Sequence, residues 1–369
     1  MRIAQVAPLA ESVPPRTYGG TERVVSWLTE ELVARGHEVT LFASGDSQTS
    51  ARLLSTTSVA LRESGQLNDY LVHLMVQLEQ VAEHCAEFDI IHYHCDYHHF
   101  PLSRRSDIPQ LTTLHGRLDL PGLPLVFGEF PEMPLVSISE AQRAPLNVDN
   151  WVSTIYHGLP KENFNFVAQA DNYLAFLGRI CPEKRVDRAI QIAEAVGIPL
   201  KIAAKIYPAD EQYFREQMEP LFDNPWVEFI GEIGDNEKGE FLGHAQALLF
   251  PIDWPEPFGL VMIEALACGT PVIAFNHGSV PEVLEHGKTA FVVDDMNQAI
   301  SYTKRIDELD RAQCRKEFER RFSVEAMTSG YEQVYKQVIA EKVGLPAAQT
   351  ASTWSPGASS HMPVLRQRL

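Results

Sequence analysis

The sequence lacks the features of several large protein classes. No apolar run approaches the ~18 residues of a membrane-spanning helix, and no charged and apolar leader precedes the first strand pattern at Ile3. The chain has 5 cysteines, an odd number without close pairing, which argues against a disulfide framework. We therefore expect neither a transmembrane segment nor secretion, and we expect a cytoplasmic protein.

Positive charge and two ligand-binding motifs are also scarce or missing. Lys and Arg total 31 against 49 Asp and Glu, and the formal charge of −18 disfavours nucleic acid as a partner. No Gly-x-Gly-x-x-Gly follows a leading strand, which counts against a nicotinamide or flavin enzyme. No Asp-x-Asp triplet occurs, so a metal-chelating diphosphate site of that type is not expected. We predict no metal ion and no cofactor.

The apolar pattern indicates an α/β protein with two cores. At 369 residues and 45% hydrophobic composition, the chain exceeds what one compact core usually holds. Residues 3–7, 21–35 and 38–43 read as strand, helix and strand, and a similar series begins at residues 173–177, 186–196 and 200–204. Such units imply mainly parallel sheets flanked by helices. Further strands are predicted at 227–230, 247–250, 272–275 and 290–293.

Breaks in this periodicity give the domain bounds. Polar residues, glycine and proline interrupt the pattern around 157–170, so we place the first domain at 1–160 and the second at 161–325. Residues 345–369 are rich in Pro, Ser, Ala and Gly without a core pattern, and we predict that this tail is disordered.

The strongest chemical signal is the segment PEPFGLVMIEA at residues 255–265, which contains Glu256 and Glu264. Prolines on both sides of Glu256 prevent a helix through it, so we expect a helix that begins near Phe258 with free N–H groups that bind anions. Glu264 then lies on the second turn, where its carboxylate can accept hydrogen bonds from vicinal hydroxyls such as those of a ribose. Either glutamate alone is typical of a solvated surface residue, and only the whole segment favours a binding site.

Two cations follow the first strand of the second half. Arg179 and Lys184 lie between a predicted strand and a predicted helix, where α/β sheets bind ligands. Arg179 can hold phosphate oxygens bidentately, and Lys184 can add a point charge. Taken individually, each is also typical of a solvated loop residue.

Three weaker signals lie in the first half. Gly19 and Gly20 let the backbone approach a ligand closely, and His115 follows an apparent strand, although a single histidine there is more often structural. The histidines at 92, 94, 98 and 99 suggest a metal site, yet alternate strand residues point to opposite faces. We therefore favour structural or acceptor-side histidines over metal ligands.

Taken in order, these motifs resemble glycosyltransferase family 4, and the resemblance covers about residues 1–340. It implies the GT-B architecture, in which two Rossmann-like domains face each other, with a C-terminal helix (326–344) that crosses back to the first domain. Arg179 and Lys184 are similar to the family's diphosphate-binding pair, and Glu256 and Glu264 to its E-x7-E pair. By this resemblance Glu264 holds the nucleotide ribose and Glu256 meets hydroxyls of the transferred hexose.

The resemblance also implies roles for other residues. The backbone of Phe258, Gly259 and Leu260 would meet the diphosphate or sugar, and Gly231 would lie beside the nucleotide base. Gly19 and Gly20 are similar to the family's N-terminal glycine loop. The catalytic set it implies comprises His115, Arg179, Lys184 and Glu256.

The chain departs from the family pattern at two places. His157-Gly158 stands where Asn-Gly is common at the domain crossover, and Ala203-Ala204-Lys205 replaces a glycine-rich turn. Lys205 adds a cation near the expected cleft, and the donor base stays open between uridine, guanosine and adenosine.

These features predict a retaining, metal-independent hexosyltransferase that uses a nucleotide diphosphate sugar and an unidentified acceptor hydroxyl. A glycoside hydrolase is disfavoured, because retaining hydrolases need carboxyl groups about 5 Å apart whereas eight helical residues span ~12 Å. A catalytically silent sugar-nucleotide-binding protein and a GT-B phosphorylase or epimerase stay open as alternatives.

Overall fold

Two parallel β-sheets form the framework of the protein. The computed structural model describes residues 1–16 and 19–342. Its strands are β1 (Arg2–Val6), β2 (Glu38–Phe42), β3 (Arg52–Leu54), β4 (Ile90–Tyr93), β5 (Gln110–Thr113), β6 (Leu135–Ser137), β7 (Trp151–Thr154), β8 (Leu174–Arg179), β9 (Leu200–Lys205), β10 (Val227–Gly231), β11 (Ala247–Phe250), β12 (Val272–Phe275) and β13 (Ala290–Val293).

Helices connect these strands and cover both sheets. They are α1 (Gly20–Ala34), α2 (Tyr70–His84), α3 (Phe100–Ser103), α4 (Leu123–Glu129), α5 (Glu140–Arg143), α6 (Val186–Val196), α7 (Glu211–Tyr213), α8 (Asp235–Gly243), α9 (Leu260–Ala267), α10 (Val280–Val283), α11 (Met296–Thr303), α12 (Arg311–Arg321) and α13 (Val324–Lys342). The predicted α/β class with two parallel-sheet domains is confirmed.

The strand order places a switch point in each sheet. The first sheet runs β3-β2-β1-β4-β5-β6-β7 and the second runs β10-β9-β8-β11-β12-β13, with all pairs parallel. In the first sheet the connections that follow β1 and β4 run in opposite directions, and in the second sheet those that follow β8 and β11 do the same. Each such switch opens a crevice at the carboxyl ends of the two strands. The two halves therefore offer two crevices for ligands.

Apolar periodicity accounts for the packing of the first helix in each domain. In α1, Val24 and Leu28 are fully buried and pack on β1, as the helical spacing predicts. In α6, Ile190 is buried, and Gly197 ends the helix in a left-handed conformation at φ 70°. The predicted helix at 186–196 matches α6 residue for residue. Strands β3, β6 and β7 were not predicted, because β3 and β6 have only three residues and β7 is only partly buried, which leaves little apolar pattern.

The last helix, α13, returns to the first domain as predicted. Its Tyr331 and Tyr335 are fully buried in the core that contains α1 and β1. The chain crosses between the domains twice, and the two crossing segments lie side by side. Leu159 N in the first segment donates to Phe322 O in the second at 2.9 Å. A side-chain carbon at Gly158 would lie 2.2 Å from the Ser323 carbonyl oxygen, so only glycine permits this close approach.

The described residues contain no helix that is long and apolar enough to cross a membrane. The predicted domain bounds at 160 and 325 stay a prediction. The predicted tail at 345–369 lies outside the described residues, as do residues 343–344 of the predicted terminal helix.

Candidate active site

A cavity of about 670 Å³ lies where the carboxyl ends of strands from both sheets meet. Its lining includes all but one of the residues predicted for the site: Gly19, Gly20, His115, Arg179, Lys184, Glu256, Phe258, Gly259, Leu260 and Glu264. The exception is Gly231, which ends β10 at φ 80° and does not line the cavity in the described chain. Its neighbours Glu232 and Ile233 do. The tertiary structure thus brings together residues that are far apart in sequence.

Glu256 lies in the loop that leads into α9. It is 9% exposed, and its Oε2 accepts hydrogen bonds from Trp254 Nε1 at 2.9 Å and from Lys184 Nζ. The Lys184 ammonium also lies 5.2 Å from the centroid of the Trp254 ring. Because both donors use the same oxygen, Oε1 can accept hydrogen bonds from a ligand.

Backbone contacts from a second loop fix the position of Glu256. Ser279 N donates to Glu256 O at 3.0 Å, and Ser279 Oγ donates to Phe258 O at 2.9 Å. Gly278 has φ 57°, and a side-chain carbon there would lie 2.4 Å from the Glu256 nitrogen. Only glycine allows the two loops to approach so closely. We did not predict this role of Gly278, because nothing in its local sequence indicates contact with a loop some 20 residues earlier.

The helix after Glu256 begins later than expected. The motif predicted a start near Phe258, whereas α9 begins at Leu260, because Gly259 adopts a left-handed conformation at φ 78°. Glu256 therefore lies outside the helix, and the helical separation used against a hydrolase does not apply. What separates the two glutamates chemically is that each has its own lysine partner.

Glu264 is on α9 and is 4% exposed. Its Oε1 accepts a hydrogen bond from Lys238 Nζ at 3.2 Å, and the same ammonium lies 3.1 Å from Asp235 Oδ1. Arg23 of α1 forms an ion pair with Asp235, which joins the first domain to this group. Burial lowers the pKa of Arg23, and the nearby Glu264 carboxylate opposes that shift. Neither Arg23 nor Lys238 was predicted from the sequence.

Arg179 lies at the end of β8, beside the turn that carries Lys184. It donates to Glu183 Oε1 at 2.7 Å, and its Nε lies 3.3 Å from Asp210 Oδ2. Its guanidinium is 5.7 Å from the Tyr207 ring centroid, and the Lys205 ammonium is 5.3 Å from the same centroid. Lys205, the cation noted in the sequence, therefore joins Arg179 at the cavity wall.

His115 follows β5. The ring of His157 connects it to Phe258, which lies in the loop before α9. His115 stacks on His157 with ring centroids 5.3 Å apart, and His157 packs edge-on against Phe258 at 4.8 Å. Burial lowers the pKa of His115 to about 3 and that of His157 well below its usual range. Both imidazoles are therefore neutral at physiological pH.

Of the four clustered histidines, His92, His94 and His99 have partners within the core, and the half-buried His98 lies 3.1 Å from Cys95 O through its Nδ1. His99 bonds to Thr112 and Ser103, and His92 and His94 bond to residues of β1, β5 and α13. Within residues 1–16 and 19–342, no group of three or more His, Cys, Asp or Glu side chains is arranged to hold a metal ion.

Comparison with known proteins supports this organisation. Residues 161–326 match the model of the group 1 glycosyl transferases, and residues 18–151 match that of Glycosyltransferase Family 4. The chain belongs to glycosyltransferase family 4. The N-acetyl-alpha-D-glucosaminyl L-malate synthase of Bacillus anthracis is 25% identical over 380 residues, which cover 87% of this chain and 94% of that protein.

Solved structures show that this family 4 glycosyltransferase has the GT-B fold. It resembles AviGT4, a glycosyltransferase involved in avilamycin A biosynthesis, at a TM-score of 0.71 and 24% identity, over 92% of this chain and 98% of that one. It also resembles Anabaena HepE in complex with UDP and glucose, at a TM-score of 0.69 and 16% identity, over 91% of this chain and 100% of that one.

One further acidic residue of this family 4 glycosyltransferase lines the cavity and was not predicted. Glu22 lies in the first turn of α1, separated from the glycine pair by Thr21, and is 6% exposed. Burial raises the pKa of its carboxyl group to about 7. A glutamate at the start of a helix is common for dipole reasons alone, so no sequence signal distinguished it.

Proposed function

We propose that this glycosyltransferase moves a hexose from a nucleoside diphosphate sugar to an acceptor hydroxyl, with retention and without a metal ion. The observation that carries the proposal is the convergence of Arg179, Lys184, Glu256 and Glu264 on one cavity between the domains. Two cations and two carboxylates match the charges and hydroxyls of such a donor.

The cations stabilise the leaving group. Breaking the anomeric bond leaves negative charge on the diphosphate, and fixed positive groups lower the energy of that state without a metal. In the free protein Arg179 is paired with Glu183 and Asp210, and Lys184 with Glu256. An arriving diphosphate therefore competes with carboxylates of the chain for these two cations.

The carboxylates orient the sugar and the nucleoside. Glu256 offers Oε1 to hexose hydroxyls, since its protein donors both use Oε2. Glu264 accepts from the ribose hydroxyls while Lys238 holds its Oε1. Such contacts hold the donor in the geometry from which the bond breaks.

The acceptor hydroxyl attacks from the first domain, and its proton passes to the departing diphosphate oxygen. His115 and His157 line this side of the cavity, and the low pKa of each makes it a neutral hydrogen-bonding group instead of an acid at physiological pH. Retention by attack on the same face of the sugar is the account that the family resemblance implies.

A donor screen tests the proposal. Thermal shift with uridine, guanosine and adenosine diphosphate hexoses identifies the base, because a bound ligand stabilises the folded state by mass action. HepE was solved with UDP and glucose, which makes uridine the first base to test. We expect stabilisation by one base series and no stabilisation of the R179A/K184A double variant.

Turnover then separates the enzyme from a silent binding protein. Release of nucleoside diphosphate with mixed acceptors should continue in excess chelator. Stabilisation without release would favour the silent sugar-nucleotide-binding alternative. A complete loss in chelator that added metal reverses would refute metal independence.

A further inference from the structure

A continuous series of buried hydrogen bonds connects His115 to α13. His115 Nε2 and His94 Nδ1 are 2.9 Å apart, and His94 Nε2 lies 2.7 Å from Gln5 Oε1. Gln5 Nε2 donates to Tyr335 Oη at 2.9 Å. Gln5, His94 and Tyr335 are all 0% to 2% exposed, so water does not replace these bonds.

The series continues from Tyr335 across the sheet. Tyr335 Oη lies 2.8 Å from His92 Nδ1, and His92 Nε2 lies 2.7 Å from Thr113 Oγ1. Thr113 Oγ1 is 3.1 Å from Tyr331 Oη, one turn earlier on the same helix as Tyr335. We call these seven residues the histidine chain: Gln5, His92, His94, Thr113, His115, Tyr331 and Tyr335.

The imidazoles of the histidine chain each carry a single proton. Burial lowers the pKa of His92 and His94 well below the usual range and that of His115 to about 3. A neutral imidazole has one N–H donor and one acceptor nitrogen. The proton position on one ring therefore determines the proton position on its neighbour.

The side-chain amide of Gln5 determines the direction of the whole series. Its oxygen faces His94 and can only accept, so His94 carries its proton on Nε2 and accepts at Nδ1. His115 must then donate from Nε2, which leaves its Nδ1 as an acceptor. On the other side the amide N–H donates to Tyr335, whose hydroxyl proton is free to bond His92 Nδ1.

We propose that Gln5, His94 and Tyr335 are positioning residues that hold His115 in its Nε2–H tautomer, so that Nδ1 accepts a hydrogen bond from a substrate hydroxyl. This proposal rests on the proposed function, because it requires a hydroxylated ligand at His115. A carboxylate or a deoxy carbon at that place would offer Nδ1 no proton, so the tautomer selects a hydroxyl-bearing sugar or acceptor.

The environment of His115 supports this direction. Within the described chain, Nδ1 of His115 is buried and has no hydrogen-bond partner, and the side chain lines the cavity. The reverse tautomer would leave an N–H donor buried without a partner, which costs more than an unpaired acceptor nitrogen. The observed amide orientation avoids that cost.

Two tyrosines of α13 provide a matched pair of variants. Both Tyr331 and Tyr335 are fully buried, and each loses one buried hydroxyl when changed to Phe. Y335F removes the hydroxyl that accepts from Gln5, so the amide can rotate and present its N–H to His94. Y331F removes only the last member of the series, beyond Thr113, and leaves Gln5 anchored.

Nitrogen-15 NMR of histidine-labelled protein reads the tautomer directly, with His115 assigned from an H115N variant. We expect a protonated Nε2 and an unprotonated Nδ1 on His115 in the wild type and in Y331F, and a mixture of tautomers in Y335F. For turnover of the best donor, we expect Y335F to lose about two- to tenfold in kcat/KM, the contribution of one hydrogen bond. Y331F should stay within about twofold of the wild type.

Each outcome decides the matter. A proton on Nδ1 of His115 in the wild type, or the same tautomer in Y335F as in Y331F, would overturn the positioning role. Equal losses of activity with unchanged tautomers would mean that both tyrosines act only through packing, which also overturns it. If the tautomers behave as expected but no sugar nucleotide is turned over, the proposed function fails and the positioning of His115 stands.

Discussion

Replacing Glu264 by glutamine tests whether α9 holds the nucleoside. Glu264 is 4% exposed and accepts from Lys238 Nζ at 3.2 Å, and Lys238 keeps a second partner in Asp235 at 3.1 Å. The substitution therefore removes the carboxylate charge without leaving the lysine unpaired. The protein should therefore still fold, and the substitution should weaken ligand binding.

The magnitude follows from the bond that is weakened. A hydrogen bond to a charged group contributes about 1.5–3 kcal/mol, and each ~1.4 kcal/mol corresponds to a tenfold change in Kd. If ribose hydroxyls donate to Glu264, E264Q should weaken the binding of the free nucleoside diphosphate about ten- to a hundredfold. Binding of the intact sugar donor should weaken by a similar factor, because both ligands contain the ribose.

The matched control is Glu256→Gln. Glu256 pairs with Lys184 in the free protein, so removing its charge releases a cation that the diphosphate uses. E256Q should therefore bind the diphosphate at least as tightly as the wild type and lose turnover instead. Calorimetric titration of both variants with diphosphate alone gives the result. Equal, wild-type-like affinities would refute the ribose assignment.

Two further predictions concern the backbone and acid stability. G278A should displace Glu256 and lower kcat by about tenfold or more, because the added carbon would lie 2.4 Å from the Glu256 nitrogen. The control is G287A, at φ 77° with open space around it, since the left-handed backbone costs ~1–2 kcal/mol of stability in both variants. Unchanged kcat in G278A would show that the loop adapts. The pKa of His92, His94, His99, His115 and His157 is lowered by burial, so their contribution to stability is present above pH 6.5 and is lost as pH falls towards the folded values. Denaturant unfolding should therefore give a lower free energy of unfolding at pH 5 than at pH 7, and equal free energies at the two pH values would contradict this.

Local sequence was enough to predict several of the strands and helices and most of the candidate site residues. Helix α6 was predicted residue for residue, because its apolar spacing is regular and Gly197 ends it. The segment at residues 255–265 was recognisable because its prolines, glycine and glutamates act on their immediate neighbours. All of these signals operate within one or two helical turns, which is the range over which sequence patterns are informative.

The tertiary structure decided which of those residues meet. Parallel strands carry Arg179, Lys184 and the loop of Glu256 to one sheet edge, and no local pattern records that Lys184 pairs with Glu256. The same holds for Gly278 against the Glu256 backbone and for Arg23 against Asp235. The exact start of α9 also depended on the conformation of Gly259, which the local sequence permits but does not require.

The histidine chain is the clearest case of this division. The sequence placed His92 and His94 on a buried strand and favoured structural or acceptor-side roles for them over metal binding, and it placed His115 after another strand. Their hydrogen-bond partners, Gln5 and Tyr335, are 330 residues apart and meet only because α13 crosses back over the first sheet. Composition and periodicity specify that such a helix is buried on one face, whereas the position of a proton on His115 depends on contacts that only the folded chain creates.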